Sequence, residues 1–263
     1  ISRGWIANEI FRRIDSSNRT MGEFFREQVS GPLGIDVHIG LQDEELNRVS
    51  PFKERTLKAQ LLDGITPGTF ARRVGLTYFE MLRRFWQLRS TIQSMRATRI
   101  TLPLQGMAKQ GVAIFDSDGI SKAEIPSAGA KGNARGLAKL AAIMANGGEF
   151  GGQTLMSRNA WQQIHANPKN RKMTLFNSAF TQGGLAQFAD DGKAPKSLAA
   201  ALNAGREGFF GWLGYGGSIF QWHPELRIGF AYVPTALNPL DFFNQRGKTY
   251  QQQTVQCVRG LGA

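Results

Sequence analysis

An α+β fold, with an antiparallel sheet flanked by helices and an added helical region, is predicted for this chain by three observations. Segments of helical period with recognisable caps recur from the N-terminus to about residue 165. A glycine-rich pair of β-type runs follows at 209–234. A last helical stretch comes after that pair, at about 244–258, so strands and helices do not alternate as they would around a parallel sheet. The 263 residues are read as one domain over 1–263: a mainly helical region at about 1–206, then the hairpin and helix at about 207–263. That length supports a substantial core.

The elements follow in order. Residues 2–14 form a helix with Trp5, Ile6, Ile10 and Phe11 near one face. Arg12 and Arg13 fall in its last turn, where cations complement the helix dipole. Thr20-Met21-Gly22-Glu23 is a capping box that starts a second helix, and Gly31-Pro32-Leu33-Gly34 stops it. Val37 to Leu41 is a short apolar run, and a helix is expected from Ser50, with Ser50 as N-cap and Pro51 at its first position. Residues 66–97 read as helix in two pieces, and 98–133 as irregular. Ala134 to Met144 is a helix stopped by Asn146-Gly147-Gly148. Ser157 caps another that runs to about His165, where Trp161 is expected in the core.

Composition narrows the function classes. Hydrophobic residues at 41% and charged residues at 20% fit a folded protein rather than a disordered one. No run approaches the ~18 apolar residues of a membrane span. Cys257 is the single cysteine, which removes intrachain disulfides and leans toward a reducing compartment. His38, His165 and His223 lack metal-ligand spacing, so no metal and no cofactor are expected. The net charge of +12 favours acidic partners, yet the basic residues are dispersed. Their densest stretch runs from Arg72 and Arg73 through Arg83, Arg84, Arg89 and Arg96 to Arg99, interleaved with Phe79, Met81, Leu82, Phe85, Trp86 and Leu88. An amphipathic helix packed on the core accounts for it, and nucleic acid ranks last among the partners.

The site is sought in the glycine-rich segment Gly211-Trp212-Leu213-Gly214-Tyr215-Gly216-Gly217-Ser218. Glycine weakens a strand, so four of them in one suggest that something approaches the backbone closely. Ile219 to Glu225 and Ile228 to Val233 complete the hairpin around a Pro224 turn, where His223 reads as a turn residue and Trp222 as core. Two further stretches matter. One holds Arg3-Gly4-Trp5-Ile6, then Glu23-Phe24-Phe25 and Pro32-Leu33-Gly34-Ile35-Asp36. The other runs from Glu124-Ile125-Pro126-Ser127 through Gly132-Asn133-Ala134-Arg135-Gly136-Leu137 to Ala145-Asn146-Gly147-Gly148.

In this order the three stretches resemble the serine β-lactamase-like family, in its class C β-lactamase and esterase branch with the penicillin-binding-protein-like fold. The resemblance covers most of the chain. It implies a serine hydrolase with an acyl-enzyme, a Ser-x-x-Lys nucleophile, an assisting tyrosine, and a small-molecule or peptide substrate. It aligns Trp212-Leu213-Gly214 with the family's Lys-Thr-Gly or His-x-Gly wall. The backbone N–H of Tyr215 then serves as one oxyanion donor, and Trp212, Leu213, Gly214, Gly216, Ser127 and Asn133 line the substrate. Trp212 departs from the family: indole carries one N–H and no charge, which disfavours anionic substrates. The nucleophile and tyrosine are expected upstream of Ile1, leaving this chain a fragment, inactive alone.

No substitute nucleophile is found. Ser50-Pro51-Phe52-Lys53 has the Ser-x-x-Lys spacing but reads as a helix start on the wrong side of the resemblance. Ser127 stabilises a turn more simply than it attacks, and Ser218 lacks the frame of a nucleophile elbow. Asn133 is the natural N-cap of the Ala134 helix. The rival expectation is a pseudoenzyme: a non-catalytic scaffold of the same fold that self-assembles into a homo-oligomer.

Overall fold

The computed structural model describes residues 2–56, 58, 59, 62, 79, 82, 86, 111–173, 176–189, 198–239, 241 and 243–261. The chain packs as two compact units: residues 1–53 with 101–139, and residues 54–100 with 140–263.

The first unit opens with α1 (Ser2–Ile14), in which Arg12 and Arg13 both hold Glu9, at 3.0 and 2.9 Å. Those two guanidiniums, Arg12 first, keep the Glu9 carboxyl at about 2. The capping box forms as expected: Thr20 accepts from Glu23 N–H, and the Glu23 carboxylate returns to Thr20 N–H at 2.8 Å. Helix α2 (Met21–Phe25) passes through a π turn (Arg26–Ser30) into α3 (Gly31–Leu33). Gly34 ends it in the left-handed region at φ 58°. Strand β1 (Val37–His38) pairs antiparallel with β3 (Lys131–Gly132), with β2 (Lys53–Glu54) and α4 (Asp118–Lys122) between them in sequence.

Glu124 joins these pieces. It accepts from Thr20 Oγ1 at 2.7 Å, Gly22 N at 3.2 Å and Asn8 Nδ2 at 3.3 Å. Gly22 must be glycine, because an added Cβ would lie 2.6 Å from the Glu124 carboxyl carbon. A second network holds His38 between Asp36 at 3.0 Å and Glu45 at 2.9 Å, and Asp36 also accepts from Arg48.

Two expectations fail in this unit. Ser50 does not cap a helix: residues 49–52 are irregular and run into β2. Proline biases the residue before it toward extended backbone, and the Phe52 N–H goes to the Asp116 carboxylate at 2.9 Å rather than along a helix. Ser50 and Lys53 therefore do not share a helical turn. Nor is the described part of 98–133 irregular, since it holds a 3-10 helix (Gly111–Asp116), α4 and β3. The apolar face of α1 is largely open to solvent. Ile6, Ile10 and Ile14 are 61, 56 and 75% exposed, and Trp5 is 36% exposed.

Helix α5 (Ala134–Ala145) crosses into the second unit and stops where expected, with Gly147 and Gly148 at φ 80° and 92°. A short hairpin, β4 (Glu149–Phe150) and β5 (Gln153–Thr154), leads to α6 (Arg158–His165), capped by Ser157. The sheet then forms from β6 (Lys169–Met173), β7 (Phe176–Phe180), β8 (Ala186–Gln187), β9 (Phe210–Leu213), β10 (Ile219–His223) and β11 (Ile228–Tyr232). Its order is β11-β10-β9-β8-β7-β6, antiparallel at every neighbouring pair. Three of its strands thus come from 169–187, ahead of the expected hairpin. Helix α7 (Leu198–Asn203) lies between β8 and β9, and β12 (Ala236–Leu237) precedes α8 (Gln245–Leu261).

Alternation along the strands gives the sheet two covered faces. Ala186, Phe188, Phe209 and Ile228 pack with Leu202 of α7 and Phe243 on one side. Trp222 packs with Ala141 and Ala145 of α5 on the other. Trp222 is core as expected, whereas Trp161 is half-buried and donates to Met144 O at 2.8 Å. Among the described residues, no helix is long and apolar enough to cross a membrane. The cationic residues Arg72, Arg73, Arg83, Arg84, Arg89, Arg96 and Arg99 lie outside the described residues. Phe79, Leu82 and Trp86 are described: they are helical and exposed, not packed on a core.

Candidate active site

The glycine-rich segment sits at the end of β9, in the second unit. Trp212 lies opposite Phe220 and Leu213 opposite Ile219 on β10. The chain then leaves the ladder at Gly214, and Tyr215 to Gly217 make one 3-10 turn. Gly216 breaks it at φ 74°, ψ 5°, a left-handed geometry that favours glycine. Gly214 N donates to Ser218 O at 2.8 Å and Gly217 N to Gly214 O at 3.5 Å, closing the loop.

Gly211, Gly216 and Gly217 have positive φ, and the neighbour that approaches each of the four glycines is the protein itself. A Cβ on Gly211 would strike Phe220 O, and one on Gly214 would strike Ser218 Oγ. On Gly216 it would lie 2.6 Å from Leu237 Cβ, and on Gly217 2.7 Å from Arg246 Nη2. Internal packing alone therefore explains the glycine signal.

Hydrogen bonding divides the loop into a spent side and an open side. The carbonyl of Gly216 accepts from Asn238 N at 2.9 Å and from Arg246 Nη2 at 2.7 Å. Those of Gly214 and Ser218 accept from Asn244 Nδ2, at 3.0 and 2.5 Å. Among the described residues, the N–H groups of Tyr215 and Gly216 find no acceptor. A helical residue followed by a left-handed one turns successive N–H groups toward a common point, a geometry suited to an anion.

Two aromatic side chains flank this turn. Trp212 is 39% exposed, with its ring 5.8 Å from that of Phe180. Tyr215 is exposed, and its hydroxyl donates to Glu54 at 2.7 Å. Partial burial, and then that bond to Glu54, push the Tyr215 phenol well above its ordinary value, so its proton stays on at neutral pH.

Trp212, Leu213, Gly214, Tyr215 and Gly216 thus come together in one turn. Ser127 and Asn133 belong to the first unit. Ser127 is exposed on a turn beside Gly4, where an added Cβ would lie 2.6 Å from its hydroxyl. Asn133 caps α5: its oxygen accepts from Gly136 N and its amide donates to Asp36, both at 2.7 Å. Ser218 turns its hydroxyl under Gly214, and His223 ends β10 with its ring accepting from Leu226 N at 3.2 Å. The residues that brace the loop, Asn238, Asn244 and Arg246, carry no signal in the sequence. They sit beyond the hairpin and reach back 22 to 30 positions.

Comparison with known proteins bears on the family and the fold. A family model described as Beta-lactamase matches residues 3–254, across both units. A Mycobacterium tuberculosis protein described as the esterase/beta-lactamase LipL is 27% identical over 256 residues, 93% of this chain and 49% of that protein. Among solved structures, a penicillin-binding protein homologue from Caulobacter crescentus superposes with a TM-score of 0.59 at 20% identity, covering 96% of this chain and 57% of that one. A family VIII carboxylesterase gives 0.58 at 21%, covering 94 and 56%. The fold is therefore that of penicillin-binding proteins and β-lactamase-like esterases, and the chain spans about half the length of the curated relative.

Proposed function

This chain belongs to the beta-lactamase family, and from that premise we propose that it supplies the oxyanion-binding wall of a serine hydrolase. The substrate is an ester, amide or peptide, and the reaction runs through an acyl-enzyme. The observation that carries the reading is the turn at Tyr215 and Gly216, whose N–H groups find no acceptor among the described residues while the carbonyls of Gly214, Gly216 and Ser218 are all engaged.

A serine oxygen adds to the substrate carbonyl, and the C=O electron pair moves onto oxygen. Backbone N–H groups aimed at that oxygen stabilise the charge as it develops. Collapse expels the alcohol or amine, and water then releases the acid by the same path. The Ser-x-x-Lys nucleophile and the assisting tyrosine belong, on this reading, to a part of the hydrolase outside these 263 residues. Trp212 supports a neutral substrate, since indole offers apolar surface and one N–H where a cation would hold a carboxylate. Leu213, Gly214 and Gly216 complete the wall. The family match spans both units, which supports one domain over 1–263.

A second reading, a non-catalytic scaffold that self-assembles, is favoured by the exposed stripe of Ile6, Ile10 and Ile14 on α1. Intact mass and N-terminal sequencing of the protein from its source, followed by p-nitrophenyl ester turnover, separate the two. A polypeptide that carries Ser-x-x-Lys and a tyrosine ahead of Ile1, and hydrolyses the ester with a burst, supports the hydrolase. A polypeptide that starts at Ile1, turns over nothing and sediments as an oligomer supports the scaffold.

A further inference from the structure

We propose that Asn244, assisted by Arg246, is the positioning residue for the Tyr215 donor; this rests on the hydrolase reading above. The peptide bond couples the two groups. It is planar and trans, so the C=O of one residue and the N–H of the next point in opposite directions. The Gly214 carbonyl and the Tyr215 N–H belong to one such plane. Whatever holds that carbonyl also aims that N–H.

Asn244 holds it. Its Nδ2 donates to Gly214 O at 3.0 Å and to Ser218 O at 2.5 Å, bridging the two ends of the loop from one amide. Asn244 is 2% exposed, so water does not compete for these bonds. Its backbone is left-handed at φ 50°, a conformation asparagine tolerates better than most residues. Arg246 holds the next carbonyl but one: Nη2 donates to Gly216 O at 2.7 Å and to Ala236 O at 2.8 Å.

The two residues are fixed from behind. Asp241, buried at 2% exposure, accepts from Gln245 N at 2.7 Å and Arg246 N at 3.4 Å at the start of α8. Arg206, fully buried, donates to Phe243 O at 2.7 Å and to Gln251 at 3.2 Å. A continuous set of bonds thus runs from the core to the loop that presents the donor. Within the 3-10 turn only the long Gly217 N to Gly214 O bond, at 3.5 Å, opposes rotation of the Gly214–Tyr215 plane, so its aim depends on Asn244.

The test uses amide exchange and NMR on this chain, with phenylphosphonate as the probe for a tetrahedral anion. Asn244→Gly keeps the left-handed backbone and removes the donor amide. The expected result is exchange about 10-fold faster at Gly214 and Gly217, a moved Tyr215 N–H resonance, and phenylphosphonate affinity down about 10-fold, a modest cost for a misaimed donor. Protection at Phe220 to Trp222 stays as in the parent. Arg246→Lys, which keeps the charge but loses the fork, gives a smaller change of the same pattern. Ser157→Ala lowers stability through a distant helix cap and leaves the affinity unchanged. Unchanged exchange in the loop overturns the positioning role, and so does protection lost equally over β9 to β11. If the parent chain shows no phenylphosphonate shift at Tyr215, the hydrolase reading fails instead, while the exchange result still decides whether Asn244 orders the loop.

Discussion

Gly216→Ala probes the turn that presents the donors, and its cost can be worked from two separate terms. Gly216 has φ 74°, and an L side chain in left-handed backbone costs about 1–2 kcal/mol. Its added Cβ would also lie 2.6 Å from Leu237 Cβ and 3.1 Å from Leu237 Cα. These atoms are not the far end of a flexible side chain, so β12 or the turn must shift, which adds about 1–3 kcal/mol of overpacking. The expected loss is about 2–5 kcal/mol in urea unfolding. Two comparators isolate the terms. Gly151 has φ 56° with open space around it, so Gly151→Ala carries the backbone term alone, about 1–2 kcal/mol. Gly119 lies in α4 with ordinary φ and open space, so Gly119→Ala raises stability by about 0.5–1 kcal/mol. A Gly216→Ala cost no greater than that of Gly151→Ala would refute the packing of Leu237 behind the turn.

Three other outcomes are expected. His165 accepts from Trp222 Nε1 at 2.9 Å and bonds Trp161 O at 2.7 Å; burial holds its pKa below the ordinary value, and burial does the same for His223. The unfolded chain binds protons as pH falls through ~6.5 while these rings stay neutral, so stability is level above that pH and declines below it. The urea midpoint should fall between pH 6.5 and 5, before the carboxylates titrate, and a His165→Gln, His223→Gln double variant should flatten that limb. Arg206→Met strips the donor from Leu202 O, Phe243 O and Gln251 inside the core, and should cost about 3–5 kcal/mol by denaturant titration. Thr20→Ala removes the capping box and one of the bonds to Glu124; circular dichroism melts should register about 1–2 kcal/mol.

Local signals were legible where the physics is local. The caps at Thr20 and Ser157, the stops at Gly34 and Gly147, and the bounds of α1 and α6 follow from short-range hydrogen bonding and helical period. The strands at 169–187 were not legible. Lys169 to Met173 is polar and lies at a sheet edge, so it lacks the apolar alternation that marks a strand. Ser50 misled because Ser-Pro is shared by helix starts and extended turns, and the deciding bond, Phe52 to Asp116, spans 64 positions. The same limit applies to the site. The glycines at 211–217 announced close approach but not by what, and Asn244 and Arg246 have meaning only once the fold brings them to Gly214 and Gly216. On α1, sequence period identified an apolar face correctly, yet period cannot say whether a face is covered.

The most direct measurement on the oxyanion-binding turn is a phenylphosphonate titration of the isotopically labelled chain, read at every backbone amide. Saturable shifts concentrated at the Tyr215 and Gly216 N–H, with Trp212 responding beside them, are expected. Shifts scattered over the basic surface, with Tyr215 and Gly216 unmoved, would contradict that role for the turn.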